Sequence, residues 1–209
     1  MTILPRVGVL ASGGGTNLQA LIDAQRTGAL GPGQLVVVGA NRAGCGALTR
    51  ASTAGIDTFC VEHRTFPTRE AFDGAVVTAL RAARVDWVVL AGFMRILTPV
   101  FLSAFPARVI NIHPALLPSF PGVDGQGQAF RHGVKIAGCT VHFVEEGVDS
   151  GPIIAQAAVP VLDDDDEERL RARILVEEHR LLPAAVRAAV EGRLVLNGRR
   201  VLTLPPVLS

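Results

Sequence analysis

The sequence predicts an α/β protein: a doubly wound, mostly parallel sheet with helices on both faces and a C-terminal β-hairpin. Three observations carry this. Short, solidly apolar runs alternate with longer stretches of helical spacing, the pattern of strands buried on both sides and linked by crossover helices. A glycine-rich turn, Ser12-Gly13-Gly14-Gly15-Thr16, joins the first strand pattern to the first helix pattern. Near the end, Asn197-Gly198 separates two β-like runs, a hairpin signal with a primed turn.

Residues 6–11 read as a strand, with Val7, Val9 and Leu10 around Gly8. Residues 17–25 then show helical spacing through Leu18, Leu21 and Ile22, ending near Gly28. Residues 35–38 form a buried strand followed by Asn41, and residues 45–54 form a helix closed by Gly55. A short strand at 58–61 precedes a helix at 68–83, which places Phe72, Val76 and Leu80 on one face. Residues 87–90 form another buried strand, which stops at Gly92. A short helix at 99–104 leads to a strand at 109–111.

The second half changes character. Residues 114–127 are rich in Pro and Gly and read as a loop, and 128–132 as a helical turn. Residues 138–144 and 153–161 read as strands joined by a loop that carries Asp149. The longest helix spans 167–191, with Leu170, Ile174, Leu181, Val186 and Val190 apolar. An acidic run at 163–168 leads into its first turn, favourable to the helix dipole. Pro183 is expected to kink this helix or split it. Residues 194–196 and 199–202 are the arms of the hairpin.

A chain of 209 residues fits one domain, with an N-terminal phosphate-binding half of about 1–111 and a C-terminal catalytic half of about 112–209. The formal charge of +1 argues against a nucleic-acid or membrane-surface binder. The basic residues are nearly all Arg, and Lys135 is the only Lys. Cys45, Cys60 and Cys139 are dispersed and odd in number, as in a reducing compartment. The chain shows no secretory leader pattern and no apolar stretch of roughly 18 residues. The expectation is a soluble, cytoplasmic protein.

Three motifs carry chemistry. The glycine turn sits where backbone N–H groups at a helix N-terminus favour phosphate. Leu18 stands where a dinucleotide fingerprint needs its third Gly, and Gly39-Ala40-Asn41-Arg42 ends the second strand without an acid, so one phosphate fits better than NAD. The alternative is a tight turn with Thr16 or Asn17 capping the helix. Asn111 and His113 are two apart in a strand and share a face at its carboxyl end, where open α/β sheets bind ligands. A lone His is as readily a hydrogen-bonded structural residue as a catalyst. Asp149 alone reads as a turn residue, but beside a His it would set the charge and orientation of the imidazole. Amide, imidazole and carboxylate together suit a reaction that develops an oxyanion while an amine loses protons. The histidines lack metal-ligand spacing, and no serine-hydrolase elbow occurs. Asn41 and Arg42 are substrate-side candidates with no assigned role.

Four segments, in order, resemble the folate-dependent formyltransferases: Ser12-Gly-Gly-Gly-Thr-Asn17-Leu-Gln-Ala, Leu90-Ala-Gly-Phe-Met-Arg-Ile-Leu97, Asn111-Ile-His-Pro-Ala-Leu-Leu-Pro118 and Gly138-Cys-Thr-Val-His-Phe-Val144. The resemblance runs from about Arg6 to Leu196. Asn-x-His-Pro with the downstream Asp149-Ser-Gly-Pro belongs to the wider family, and the first-turn pattern narrows it to the branch serving purine synthesis. The resemblance implies a Rossmann-like fold. It also implies formyl transfer from 10-formyltetrahydrofolate to the amine of glycinamide ribonucleotide, with no metal, by a monomer or homodimer. By the match, Asn111, His113 and Asp149 are catalytic. Gly15, Thr16 and Asn17 lie at the ribonucleotide phosphate, and Glu178 contacts that substrate. Arg69, Met94, Arg95, Ile96, Leu97 and Asn111 meet the folate. One stretch departs from the pattern: residues 123–129 carry no His where many members have one, and Asp124 or Gln126 stands there instead. The glycines of 122–127 suggest a loop that orders on binding. The length argues against the family branches that carry further domains, among them the one acting on initiator tRNA. Two readings outside this class are a nucleotide-binding oxidoreductase and a non-catalytic folate binder. Intact Asn111, His113 and Asp149 weigh against the second.

Overall fold

The computed structural model describes residues 4–206. Five parallel strands form the first half of the sheet: β1 (Arg6–Ala11), β2 (Gln34–Ala40), β3 (Asp57–Cys60), β4 (Trp87–Leu90) and β5 (Val109–His113). β6 (Ile136–Phe143) and β7 (Ile153–Pro160) continue it antiparallel. The hairpin of β8 (Leu194–Asn197) and β9 (Arg200–Thr203) completes one nine-stranded sheet, ordered β3-β2-β1-β4-β5-β6-β7-β9-β8. The doubly wound, mostly parallel fold read from the sequence is thus observed.

Among the described residues six α-helices cover the sheet: α1 (Thr16–Arg26), α2 (Gly46–Thr53), α3 (Arg69–Ala82), α4 (Pro99–Ala104), α5 (Gly125–His132) and α6 (Glu167–Val190). Strand alternation decides which face each residue serves. Val7 and Val9 of β1 pack with Leu18 and Leu21 of α1 and with Ile174 and Leu182 of α6. Leu10 packs on the opposite face with Phe72, Val76 and Leu80 of α3 and Phe101 of α4. These residues are fully or almost fully buried, so each face has its own core.

Four expectations are corrected. The stretch 114–127 is not all loop, because α5 starts at Gly125 after Asp124 turns the chain at φ 63°. β5 extends through His113, because antiparallel pairing with β6 supplies partners that a parallel neighbour would not. α6 is not split at Pro183: Leu182, Pro183, Ala185 and Val186 are all buried, and core packing holds both halves in one helix. The hairpin turn is Gly198-Arg199 rather than Asn197-Gly198, since Asn197 pairs with Arg200. Gly198 alone there has positive φ, which makes the first central residue the glycine. The acidic helix start is as expected: the Asp166 carboxylate accepts from the Arg169 N–H at 2.8 Å, with Glu167 and Glu168 in the first turn. Among the described residues no helix is long and apolar enough to cross a membrane.

Candidate active site

The carboxyl ends of the parallel strands open into two adjoining clefts. One, of about 810 Å³, is lined by Gly13 to Asn17, by Asn41 and Arg42 after β2, by His63 and Arg64 after β3, and by Gly92, Met94 and Arg95 after β4. The other, of about 730 Å³, is lined by Arg69, Met94 to Leu97, Asn111, His113 and Asp149. Gly92, Met94 and Arg95 belong to both.

In the first cleft the capping alternative fails. Gly15, not Thr16 or Asn17, is the N-cap of α1, and no side chain caps the helix. Its φ of 75° and a Cβ position 2.7 Å from the Ala47 backbone leave room only for glycine. The first N–H groups of α1 are therefore open to an anion, with no acidic residue in the first turn to compete. Asn17 Nδ2 donates to Glu178 Oε2 at 2.7 Å. Glu178 is only 5 % exposed and lines neither cleft, so it reaches the glycine turn through Asn17. Burial pushes its carboxyl up, and the Asn17 bond pulls partly back.

The second cleft brings the predicted trio together. His113 Nδ1 lies 3.2 Å from Asp149 Oδ2, and Asn111 Nδ2 lies 3.4 Å from Asp149 Oδ1. Asp149, half-buried and at φ 48°, also accepts from the Gly122 N–H at 2.8 Å. Burial works against its ionisation, but His142, the Gly122 N–H and His113 outweigh it and hold the carboxyl below the usual range. The other ring nitrogen of His113 donates to the Phe120 carbonyl at 2.8 Å. A carbonyl only accepts, so Nε2 carries a hydrogen, and Nδ1 faces the carboxylate.

Sequence reasoning missed His142. It sits opposite Asn111 in the β5–β6 register. Its Nδ1 donates to the Phe143 carbonyl at 2.7 Å, and its Nε2 lies 3.1 Å from Asn111 Nδ2 and 3.6 Å from Asp149 Oδ1. Arg171 was missed too, and Asp124 was read only as standing in the place of a loop His. Both line the second cleft, and Asp124 pairs with Arg171 and with Arg131 at 2.9 Å, tying the 120–124 segment to α6. A Pro- and Gly-rich stretch gives no sequence signal for such a tie.

The residues after β4 are held from both sides. Ser12 Oγ accepts from the Met94 N–H at 2.8 Å. Buried Asp73 of α3 accepts from both the N–H and the hydroxyl of Thr98, each at 2.7 Å. Met94 and Ile96 are left exposed at the cleft, 65 % and 53 %, although both are large and apolar. An apolar wall facing water in a cleft fits the apolar part of a bound ligand.

A family model described as formyl transferase matches residues 5–186. The phosphoribosylglycinamide formyltransferase of Mycobacterium tuberculosis is 50 % identical over 204 residues, 94 % of this chain and 93 % of that protein. The trifunctional purine biosynthetic protein adenosine-3 of Drosophila melanogaster is 49 % identical over 193 residues, but this chain spans only 14 % of its length. Among solved structures, glycinamide ribonucleotide transformylase 1 from Symbiobacterium toebii superposes with a TM-score of 0.94 at 55 % identity, covering 97 % of this chain and 95 % of that one. Phosphoribosylglycinamide formyltransferase from Bacillus halodurans gives 0.86 at 41 % identity, covering 88 % and 95 %.

Proposed function

This chain belongs to the formyl transferase family, and on that premise we propose that it transfers the formyl group of 10-formyltetrahydrofolate to the amine of glycinamide ribonucleotide, a step of de novo purine synthesis. The supporting observation is the junction of the two clefts. An anion-accepting glycine turn and a cleft with an apolar wall meet along Gly92 to Arg95, beside Asn111, His113 and Asp149.

The acceptor lies with its phosphate on Gly15, Thr16 and Asn17, and Glu178 orients Asn17 from behind. The folate lies between Met94, Arg95, Ile96 and Leu97, with Arg69 at the cleft's margin for its carboxylates. The substrate amine attacks the formyl carbon, a C–N bond forms, and the carbonyl oxygen takes the negative charge. Asn111 turns to that oxygen the amide N–H that lies 3.4 Å from Asp149 Oδ1 before the substrate arrives. His113 adds its Nε2–H, which turns to the oxygen once the Phe120 carbonyl moves aside. Such donors act where charge develops. The tetrahedral species then breaks its bond to the folate nitrogen. That nitrogen gains the proton the amine loses, carried by Asp149 through water. No step calls for a covalent enzyme intermediate.

The test is purified protein with both substrates, followed by the absorbance change of folate deformylation. Turnover that requires glycinamide ribonucleotide supports the reading. Deformylation with no acceptor, or none with it, sinks it.

A further inference from the structure

The acceptor cleft extends past the glycine turn. It runs along the carboxyl ends of neighbouring strands, from β4 through β1 and β2 to β3. The proposed reaction uses only the β1 and β4 part. In the remainder, Arg42, His63 and Arg64 face a single carboxylate, Glu62. An excess of cationic groups along one wall suits an anion.

His63 is held firmly there. Its Nδ1 is 3.1 Å from the backbone carbonyl of Asn41 and 3.3 Å from the Asn41 side-chain amide. The Phe72 ring meets it edge-on at 6.4 Å. A carbonyl only accepts, so Nδ1 carries the hydrogen. Asn41 is nearly fully buried and does not itself reach far into the cleft. Its backbone carbonyl fixes the ring of half-buried His63. Nε2 then makes no hydrogen bond among the described residues, on a ring that lines the cleft.

We propose that His63, through Nε2, together with the guanidinium groups of Arg42 and Arg64, binds the phosphoryl group of the acceptor from the β2–β3 side, while the glycine turn binds it from β1. The proposal rests on the acceptor reading given above. The chemistry matches: a ring nitrogen without a protein partner meets a phosphoryl oxygen through one hydrogen, carried by the ring or by the phosphate monoester. Topology matches as well. β5, which carries Asn111 and His113, is two strand spacings from β1, about 10 Å. The β2–β3 side lies farther still, so these groups bind the end of the substrate remote from the reacting amine. They act on affinity and on selection of a phosphorylated acceptor, not on the chemical step.

The experiment compares His63→Ala, His63→Gln and His63→Asn with wild type. Readouts are kcat and KM for glycinamide ribonucleotide and for its dephosphorylated riboside, and calorimetric binding of ribose 5-phosphate to the free protein. Losing one charge-assisted bond is expected to weaken ribose 5-phosphate and raise the ribonucleotide KM about 10-fold in His63→Ala. The kcat, the folate KM and all riboside kinetics should stay within about twofold. His63→Gln puts an amide N–H near the place of Nε2 and should recover most of the loss, whereas His63→Asn mimics only Nδ1 and should not. Recovery by His63→Asn alone would make His63 a prop for Asn41 and overturn the proposal. So would an equal loss with the riboside. If wild type forms no product from the ribonucleotide but binds ribose 5-phosphate through His63, the proposed reaction falls and the phosphoryl subsite stands.

Discussion

Asp149 and Glu178 are two carboxyls that the structure drives in opposite directions. For Asp149 the folded value lies below the unfolded one of about 3.9. The ionised form therefore stabilises the native state above that pH, and the contribution disappears as pH falls through the folded value. Asp149→Asn should lose this acid-side dependence, seen as a wild-type advantage in urea midpoint that shrinks as pH drops below about 4. The same variant should lose about 10²–10⁴ in kcat with both KM values little changed, the usual cost of removing a positioned proton carrier. Near wild-type turnover would remove Asp149 from the mechanism. Glu178 has the opposite sign. Its folded value is raised, so its contribution is full below about 4.3 and is lost as pH rises through the folded value. Glu178→Gln keeps an acceptor for Asn17 Nδ2 and removes the buried charge. It should unfold at higher urea than wild type at pH 7, while raising the ribonucleotide KM if a charged Glu178 matters to binding through Asn17. Asn111 and His113 were legible as a pair because a two-residue spacing in a strand fixes a shared face. His142 was not, because its partner lies 31 residues away and a single His inside an apolar strand reads as core.

The elements themselves were largely legible, since buried parallel strands and amphipathic helices differ in period and length. Their ends were less so. Boundaries at α5 and at the Gly198-Arg199 turn depend on single backbone conformations, such as Asp124 at φ 63°, that composition does not reveal. The same applies to the brace between α3 and the segment after β4. Asp73 is 1 % exposed on a helix otherwise apolar on that face, and its two bonds go to Thr98. Burial raises its carboxyl, and the Thr98 bonds pull it back. Asp73→Ala leaves the Thr98 N–H and hydroxyl without their acceptor. Stranding buried donors costs about 1–3 kcal/mol each, so a loss of roughly 2 kcal/mol or more is expected in urea unfolding. Because Thr98 directly follows the Met94 to Leu97 wall, the folate KM should rise severalfold. The ribonucleotide KM should stay the same. A change in both, or in neither, would show that the brace does not govern that wall.

At the scale of the molecule, alternating strand and helix patterns announced the five parallel strands, but the far edge was hidden. β7 meets β9 through the single pair Ile153 and Arg200, a contact between segments with no motif in common. Also hidden was how the two clefts are joined. Ser12 directly follows β1 in the glycine-turn cleft, and its hydroxyl accepts from Met94 N–H, whose residue lines both clefts. Ser12 N–H donates in turn to the Gly92 carbonyl at 3.0 Å. One side chain thus fastens the strip that both clefts share. A substitution confined to one cleft should move one KM, whereas Ser12→Ala should raise both, each by a few fold, without touching Asn111, His113 or Asp149. By the reciprocity of coupled sites, the factor by which a non-reactive folate analogue tightens ribonucleotide binding must equal the factor for the reverse order. That common factor should fall towards one in Ser12→Ala, because the strip that transmits it has lost a tie. Calorimetric titration of each ligand with and without the other measures it directly. A coupling factor unchanged by the substitution would mean that the clefts communicate by another route, or only through contact between the bound ligands.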